Sequence, residues 1–319
     1  MADNSPNKCC NKHKKDTFFT LILQRLFAAF VLLLKDLAML RNTILLSGFL
    51  LILLSSCSTE MKLAREFSRQ SEDITLLALR TDHIFKINEK YIELPAGERP
   101  SDAEIDSLRY YQTLVIQHLE SKEADEDVLN HFFQTYTSEL VRYGVQVYHE
   151  ENLEAFFEVD SNAYIINLAQ VELDEFDYHI EESAVYGGRT WAFDYWINAL
   201  RINTWFELSR LNPEENESPQ ILYASNELYD EFEGYFNQQW LTGEVSYVFS
   251  HDTIDMNGFY DFMGLLGRLY AAYTYDYLLN TYLDNNIEEE KRSTRWYRYN
   301  PYRKSFFISE DDRFIPLED

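Results

Sequence analysis

Ser183-Ala184-Val185-Tyr186-Gly187-Gly188-Arg189-Thr190-Trp191 is the stretch that decides the fold. Two adjacent glycines tolerate positive φ at both central positions of a tight turn, which is what a two-residue hairpin loop demands. The flanking runs, 163–182 and 190–209, are rich in β-branched and aromatic residues. A turn centred between 187 and 188 pairs positions whose numbers sum to 375. Ile180 then faces Tyr195, Tyr178 faces Ile197, Phe176 faces Ala199, Leu173 faces Ile202 and Val171 faces Thr204. Asp174 meets Arg201, a complementary charge pair, while Glu181 meets Asp194 and requires a solvated end. The apolar positions change parity, from odd at 171 and 173 to even at 176, 178 and 180. Arms of twenty residues also exceed ordinary strand lengths. The expectation is a bulge near 174–175 that splits each arm into an inner and an outer half.

Outward from the hairpin, Ile74–Leu79 and His83–Asn88 are strand-like. Ser101-Asp102-Ala103-Glu104 reads as a capping box opening a helix over 101–143. Its apolar stripe runs from Ile105 to Val141, is broken or bent by the charged run Glu120–Asp127, and stops at Gly144. Val145–His149 alternates as a strand, Asn152–Val159 forms a short helix, and a strand begins at Ala163, so this part is an α/β crossover. After the hairpin, strands near 221–236 and 244–252 complete the sheet. Asp255 caps a helix over 256–283, with Gly264, Gly267 and Ala271 as a small-residue strip packing on the sheet or, alternatively, receiving a partner helix. The fold expected is α+β (α/β-like): a mixed sheet with a long central antiparallel hairpin, packed against two long helices.

Upstream, Met39-Leu40-Arg41, the apolar run Ile44–Leu54 and Leu54-Ser55-Ser56-Cys57 form a short positive start, a greasy core and a small-residue exit. Eleven apolar residues fall short of the ~20 needed to span a bilayer. This segment resembles the signal peptide and lipobox of bacterial lipoproteins. The resemblance implies cleavage before Cys57, a diacylglycerol on its sulfur, and a domain tethered to a membrane. Residues 1–38 are expected to be an over-extended start, the rival being a retained span near 17–34. Further expectations are a signal peptide at 39–56, a tether at 57–73, one domain at 74–286 and a basic-aromatic, then acidic, tail at 287–319. By the same resemblance, Ser58 in place of an aspartate favours the outer membrane, and Ser58-Thr59-Glu60-Met61-Lys62, not a strong acidic surface-export signal, favours a periplasm-facing protein over a surface-exposed one. The acidic, tyrosine-rich composition is similar to that of uncharacterised Bacteroidota envelope lipoproteins.

Residues 1–56 hold seven of the 28 Lys/Arg and three of the 54 Asp/Glu. The remainder therefore carries a formal charge of −30 (21 basic, 51 acidic). Such a surface repels nucleic acid and anionic headgroups. Its aromatic content builds a core and argues against an acidic disordered tail. Cleavage would leave Cys57 as the one cysteine, acylated, with no disulfide and no catalytic thiol. The chain has no Gly-x-Ser-x-Gly, no phosphate loop, no His-Glu-x-x-His and no dinucleotide fingerprint. His149-Glu150-Glu151 and His251-Asp252 lie at strand ends, a common address for sites, but two such pairs are expected by chance among so many carboxylates.

No metal or other cofactor is expected, and catalytic residues are not identified. Trp191, Trp196 and Trp205 on the hairpin, with Trp296, Tyr297 and Tyr299 in the tail, are the candidate contacts for a partner protein or a glycan. The function expected is a membrane-anchored, non-enzymatic envelope scaffold or accessory protein-binding subunit. The alternatives are a glycan- or peptidoglycan-binding lipoprotein and, third, a hydrolase without a recognisable motif.

Overall fold

A computed structural model describes residues 58–90, 101, 105, 107, 112–159, 162–213, 218–293, 295–309 and 314–317. Cys57, its preceding Leu54-Ser55-Ser56, both upstream apolar runs and most of the 101–104 capping box lie outside them. The fold is α+β. Its spine is the expected hairpin, β4 (Ala163–Tyr186) and β5 (Arg189–Arg210), turning on Gly187 and Gly188 at φ 58° and 77°. From Tyr186↔Arg189 to Gln170↔Trp205 the pairing follows the expected register residue by residue. The bulge sits elsewhere, however. Ala169 is passed over between Leu168↔Phe206 and Gln170↔Trp205, and the ladder runs straight through 174–175.

β1 (Thr75–Arg80) and β2 (Ile84–Glu89) both run parallel to β4, β1 beside its first part and β2 beside its next. The jog between them, Thr81 to His83, lies level with the Ala169 bulge, so one local irregularity serves three strands. β3 (Gln146–Tyr148) pairs parallel with β1, and the short helix α3 (Leu153–Phe157) leads back to β4. β6 (Gln220–Tyr229) continues the sheet beyond β5, and the C-terminal β11 (Ile315–Leu317) completes it antiparallel to β6.

The two long helices are α2 (Lys122–Arg142) and α4 (Met256–Asn286). α2 starts within the charged run expected to bend it: Ser121 is extended and accepts from Ala124 N–H at 3.1 Å, a side-chain cap that stops any helix arriving from upstream. Asp255 caps α4 as expected, accepting from Gly258 N–H. Phe132, Tyr136, Phe206, Tyr270 and Phe314 stack into one aromatic core between helices and sheet. Within it the Tyr136 hydroxyl donates to Thr274, whose own hydroxyl donates to the Tyr270 carbonyl at 2.9 Å. The small-residue strip faces α2 rather than the sheet: a Cβ on Gly267 would collide with Thr135 and with the Phe132 carbonyl, so its bareness sets how close the helices lie.

Two buried carboxylates tie loops to this frame. Asp125 accepts from Ile84 N–H and Lys86, fastening α2 to β2. Glu175, fully buried, accepts from the amides of Leu114, Val115 and Ile116. Uncompensated, such burial costs several kcal/mol per ion; three aligned amides offset it.

Three expectations about boundaries need correction. The strand expected over 221–236 breaks at Asp230. Its second half, β7 (Glu231–Gln238), pairs only with β8 (Val245–Asp252), in a separate two-stranded sheet. Asp230 makes the corner, accepting from the amides of Asn198 and Ile254 and from His251 Nε2, each at 2.8 Å. The supposed tether is, from Leu63 on, part of the compact body: Ala64 is fully buried in α1 (Ser58–Arg69), and Phe67 packs on Tyr275 and Tyr282. The supposed tail forms the hairpin β9 (Trp296–Asn300) and β10 (Ser305–Ser309), locked to α4 where Asn280 bridges both backbone groups of Tyr297.

Candidate functional site

Alternate residues of a strand point to opposite faces, so the register assigns each side chain to a side. On the face covered by α2 and α4 lie Lys86, Leu173, Ile202 and Asn226, one row across four strands. The opposite face carries three adjoining rows: Phe85-Glu172-Asn203-Ser225, Ile87-Asp174-Arg201-Glu227 and Glu89-Phe176-Ala199-Tyr229. Gln170, Trp205 and Tyr223 extend it on one side, Tyr178 and Ile197 on the other.

This second face changes cover along its length. Beyond Ile197 it is roofed by the β7–β8 hairpin, which the Asp230 corner folds back over it. Phe193 stacks on Tyr247 at 3.8 Å between centroids, and Tyr195 lies against Phe232, Phe249 and His251. Gly234 makes room for the Tyr247 ring, which a Cβ would strike. Short of Ile197 the same face is open. Phe85 is 49% exposed, Tyr178 46%, Ile87 38% and Tyr229 37%.

At the centre of the open part Arg201 is surrounded by acid. It donates to Glu227 at 2.8 Å and to Asp174 at 3.2 Å, and its guanidinium lies 4.7 Å from the Phe176 ring centroid. Asn203 bridges Tyr223 and Glu172. Tyr229 donates to Glu227 and meets Tyr178 edge-on at 5.0 Å. Four carboxylates, Glu89, Glu172, Asp174 and Glu227, thus crowd around one guanidinium, which bonds two of them. The electrostatic consequence falls on Asp174, whose Oδ1 is buried without a partner. Desolvation, then the negative charge of Glu89, push its pKa up to about 6 against the pull of Arg201. Glu227 moves the other way, lowered by the hydrogen bonds from Tyr229 and Arg201. The Tyr229 hydroxyl, donating to that carboxylate, is pushed up to about 12 and stays protonated.

The expected contact residues do not assemble. Trp205 packs on Tyr223 at the margin of the open face. Trp191 shares that side of β5 but lies fourteen positions away, roughly 46 Å along an extended strand. Trp196 points to the other side, 51% exposed and stacked on His179 at 4.4 Å. In β9, Tyr297 is 2% exposed and belongs to the core, while Tyr299 packs among Tyr143, Tyr275 and Phe306, and Trp296 lies over Tyr277. These tail aromatics hold the end of α4. Phe85, Ile87, Tyr178, Glu227 and Tyr229, which sequence reasoning passed over, form the cluster instead. Its signal was available in part: Tyr178, Phe176 and the Asp174–Arg201 pair fall on one side under the sum of 375, but the place of β2 beside them does not follow from local pattern.

The two His-acid pairs also part company. His251 is used by the corner, between Asp230 and Tyr195. His149, Glu150 and Glu151 line an open cleft of about 810 Å³ at the C-terminal ends of β1 and β3. Among the described residues no group of three or more His, Cys, Asp or Glu is placed to hold a metal ion, and no helix is long and apolar enough to cross a membrane. Comparison with protein-family models, with curated proteins and with solved structures found no match for this chain.

Proposed function

We propose that this chain is a membrane-anchored lipoprotein that acts without catalysis, as an envelope scaffold or accessory subunit, and that it docks a cationic segment of a partner protein on the open sheet face. The observation that carries the docking is the pairing of exposed aromatic and aliphatic side chains with an excess of carboxylate. Phe85, Ile87, Tyr178 and Tyr229 ring a patch where four acids face one arginine. Lysine and arginine side chains suit such a surface twice over, through ion pairing at the rim and through cation–π contact with the rings. The anchoring rests on the lipobox-like Leu54-Ser55-Ser56-Cys57, the outer-membrane address on Ser58, and the periplasm-facing orientation on Ser58-Thr59-Glu60-Met61-Lys62, which is not a strong acidic export signal.

The docking is tested by titrating an unlabelled peptide that alternates lysine with leucine into isotopically labelled residues 58–319 and following the protein's amide shifts by NMR. Binding through this face shifts Tyr178 and Tyr229, weakens steeply with salt, and falls about tenfold in a Phe85→Ala, Tyr229→Ala double variant. Equal affinity in that variant, or shifts spread evenly over the acidic surface, defeats the reading. Anchoring is tested separately by mass spectrometry of the protein from its native membrane: an unmodified Cys57, or an intact segment upstream of it, removes the lipoprotein.

A further inference from the structure

The cleft at the ends of β1 and β3 plays no part in that docking. Its floor comes from Ala78, Leu79 and Arg80 of β1 and Asn167 of β4, one wall from Asn130, Phe133, Gln134, Thr137 and Ser138 of α2, and the rim from Asp82, His149, Glu150 and Glu151. It opens beside the Thr81–His83 jog, where β1 gives way to β2 and β4 carries its bulge. The break matters because an unbroken strand would carry the sheet straight across the space. Crevices at the carboxyl ends of parallel strands are where α/β sheets present ligands, and small-molecule sites span about 300–1,000 Å³.

Its chemistry selects against anions. Arg80 is already engaged: it donates to Asn130 Oδ1 at 2.8 Å and to the Thr81 carbonyl at 3.1 Å, with Glu126 at 3.9 Å. Three rim carboxylates, Asp82, Glu150 and Glu151, oppose an anion. What remains is a set of neutral groups that both donate and accept. The side chains of Gln134, Ser138 and Asn167 have no partner among the described residues. Gln134 and Ser138 lie one helical turn apart on exposed positions of α2. Beside them Phe133 meets His149 edge-on, centroids 5.8 Å apart, leaving an aromatic wall. A hydroxyl also both donates and accepts, and a sugar ring adds an apolar C–H face that packs on aromatics.

We infer that this cleft binds a neutral saccharide, with Gln134, Ser138 and Asn167 hydrogen-bonding its hydroxyls and the Phe133–His149 wall packing against its ring. The glycan contact would thus lie some distance along the fold from the hairpin tryptophans, and it is independent of the protein-docking face.

The experiment titrates cellobiose, maltose and N,N′-diacetylchitobiose to 20 mM into isotopically labelled protein and follows the side-chain amides of Gln134 and Asn167. At least one disaccharide is expected to shift both in a saturable manner. Gln134→Ala and Ser138→Ala, both at exposed positions that leave folding intact, each weaken that binding about tenfold, from the loss of one or two hydrogen bonds. Glu154→Gln, outside the cleft, leaves it unchanged. Absence of saturable shifts with all three sugars overturns the inference. So does an equal response to the zwitterion diglycine, or binding that ignores both α2 substitutions.

Discussion

The inner and outer halves of the β4–β5 hairpin are one continuous ladder, yet they bury opposite sides. From Val171 to Leu173, and from Leu200 to Phe206, the apolar side chains turn toward α2 and α4. From Phe193 to Ile197 they turn the other way, toward β7 and β8. A parity change in a long strand therefore has two physical causes. A bulge rotates the backbone by one residue, whereas a change of covering layer leaves the backbone regular and alters which side is dry. The halves differ in kind as well. The inner half is covered on one face by a helical layer and open on the other, and the outer half is half-exposed, held by ring stacking over a thin two-stranded roof.

That contrast is open to attack by mutation. The largest effect is expected at Phe206→Ala. This side chain is 1% exposed among Tyr136, Tyr270 and Phe314, and its loss should cost about 3–5 kcal/mol in denaturant unfolding. Phe193→Ala, in the half-buried outer part, should cost about 1–2 kcal/mol; equal losses would mean that the halves do not differ in packing. Between these two stands Asp230→Ala, which leaves two backbone amides without their acceptor and should cost about 2–4 kcal/mol. Hydrogen exchange should speed up across β7 and β8 while α2 and β1 stay protected. A uniform rise everywhere would show that the roof is not a separable layer.

A pH-dependent effect concerns the open face. With a folded pKa of about 6, above the ordinary 3.8, Asp174 binds its proton more tightly in the folded state. Its ionisation then removes stability as pH climbs from about 4 through 6. Asp174→Asn abolishes that loss and leaves Arg201 bonded to Glu227. The variant should be more stable than the parent at pH 7.5 by about 1–3 kcal/mol and indistinguishable at pH 4. A variant that is less stable at neutral pH would show that the Arg201 pairing outweighs the desolvation.

Where local chemistry settled the outcome, the fold was legible in the sequence. Gly187-Gly188 located the turn and so the register as far as the Ala169 bulge, Gly144 ended α2 at φ 90°, and Asp255 opened α4. Where the outcome depended on what covers a segment, it was not. Nothing between Tyr229 and Glu231 marks a corner by propensity; the bend exists because Asp230 finds amides from β5 and from the residues before α4. The Gly264–Gly267 strip marked a close approach, to the sheet or to a helix, but not that the neighbour would be α2 of the same chain. The candidate site was least legible of all, since its rows join β2, β4, β5 and β6 across distant stretches of chain. Tryptophan, the most conspicuous residue for sugar or protein contact, was spent mainly on packing.

The parallel pairing of β1 with β4 has a consequence for how the chain reaches this state. Thr75 waits roughly ninety residues for its partner Ala163, whereas Tyr186 meets Arg189 at once. Closing that long loop is entropically slow, so the hairpin zips early and spends a folding interval with one flank of β4 bare. An unpaired flank of such length invites other copies of the chain. Refolding yield should accordingly fall with protein concentration, and the acidic residues along β4, with their mutual repulsion, act during that interval as a guard against clumping.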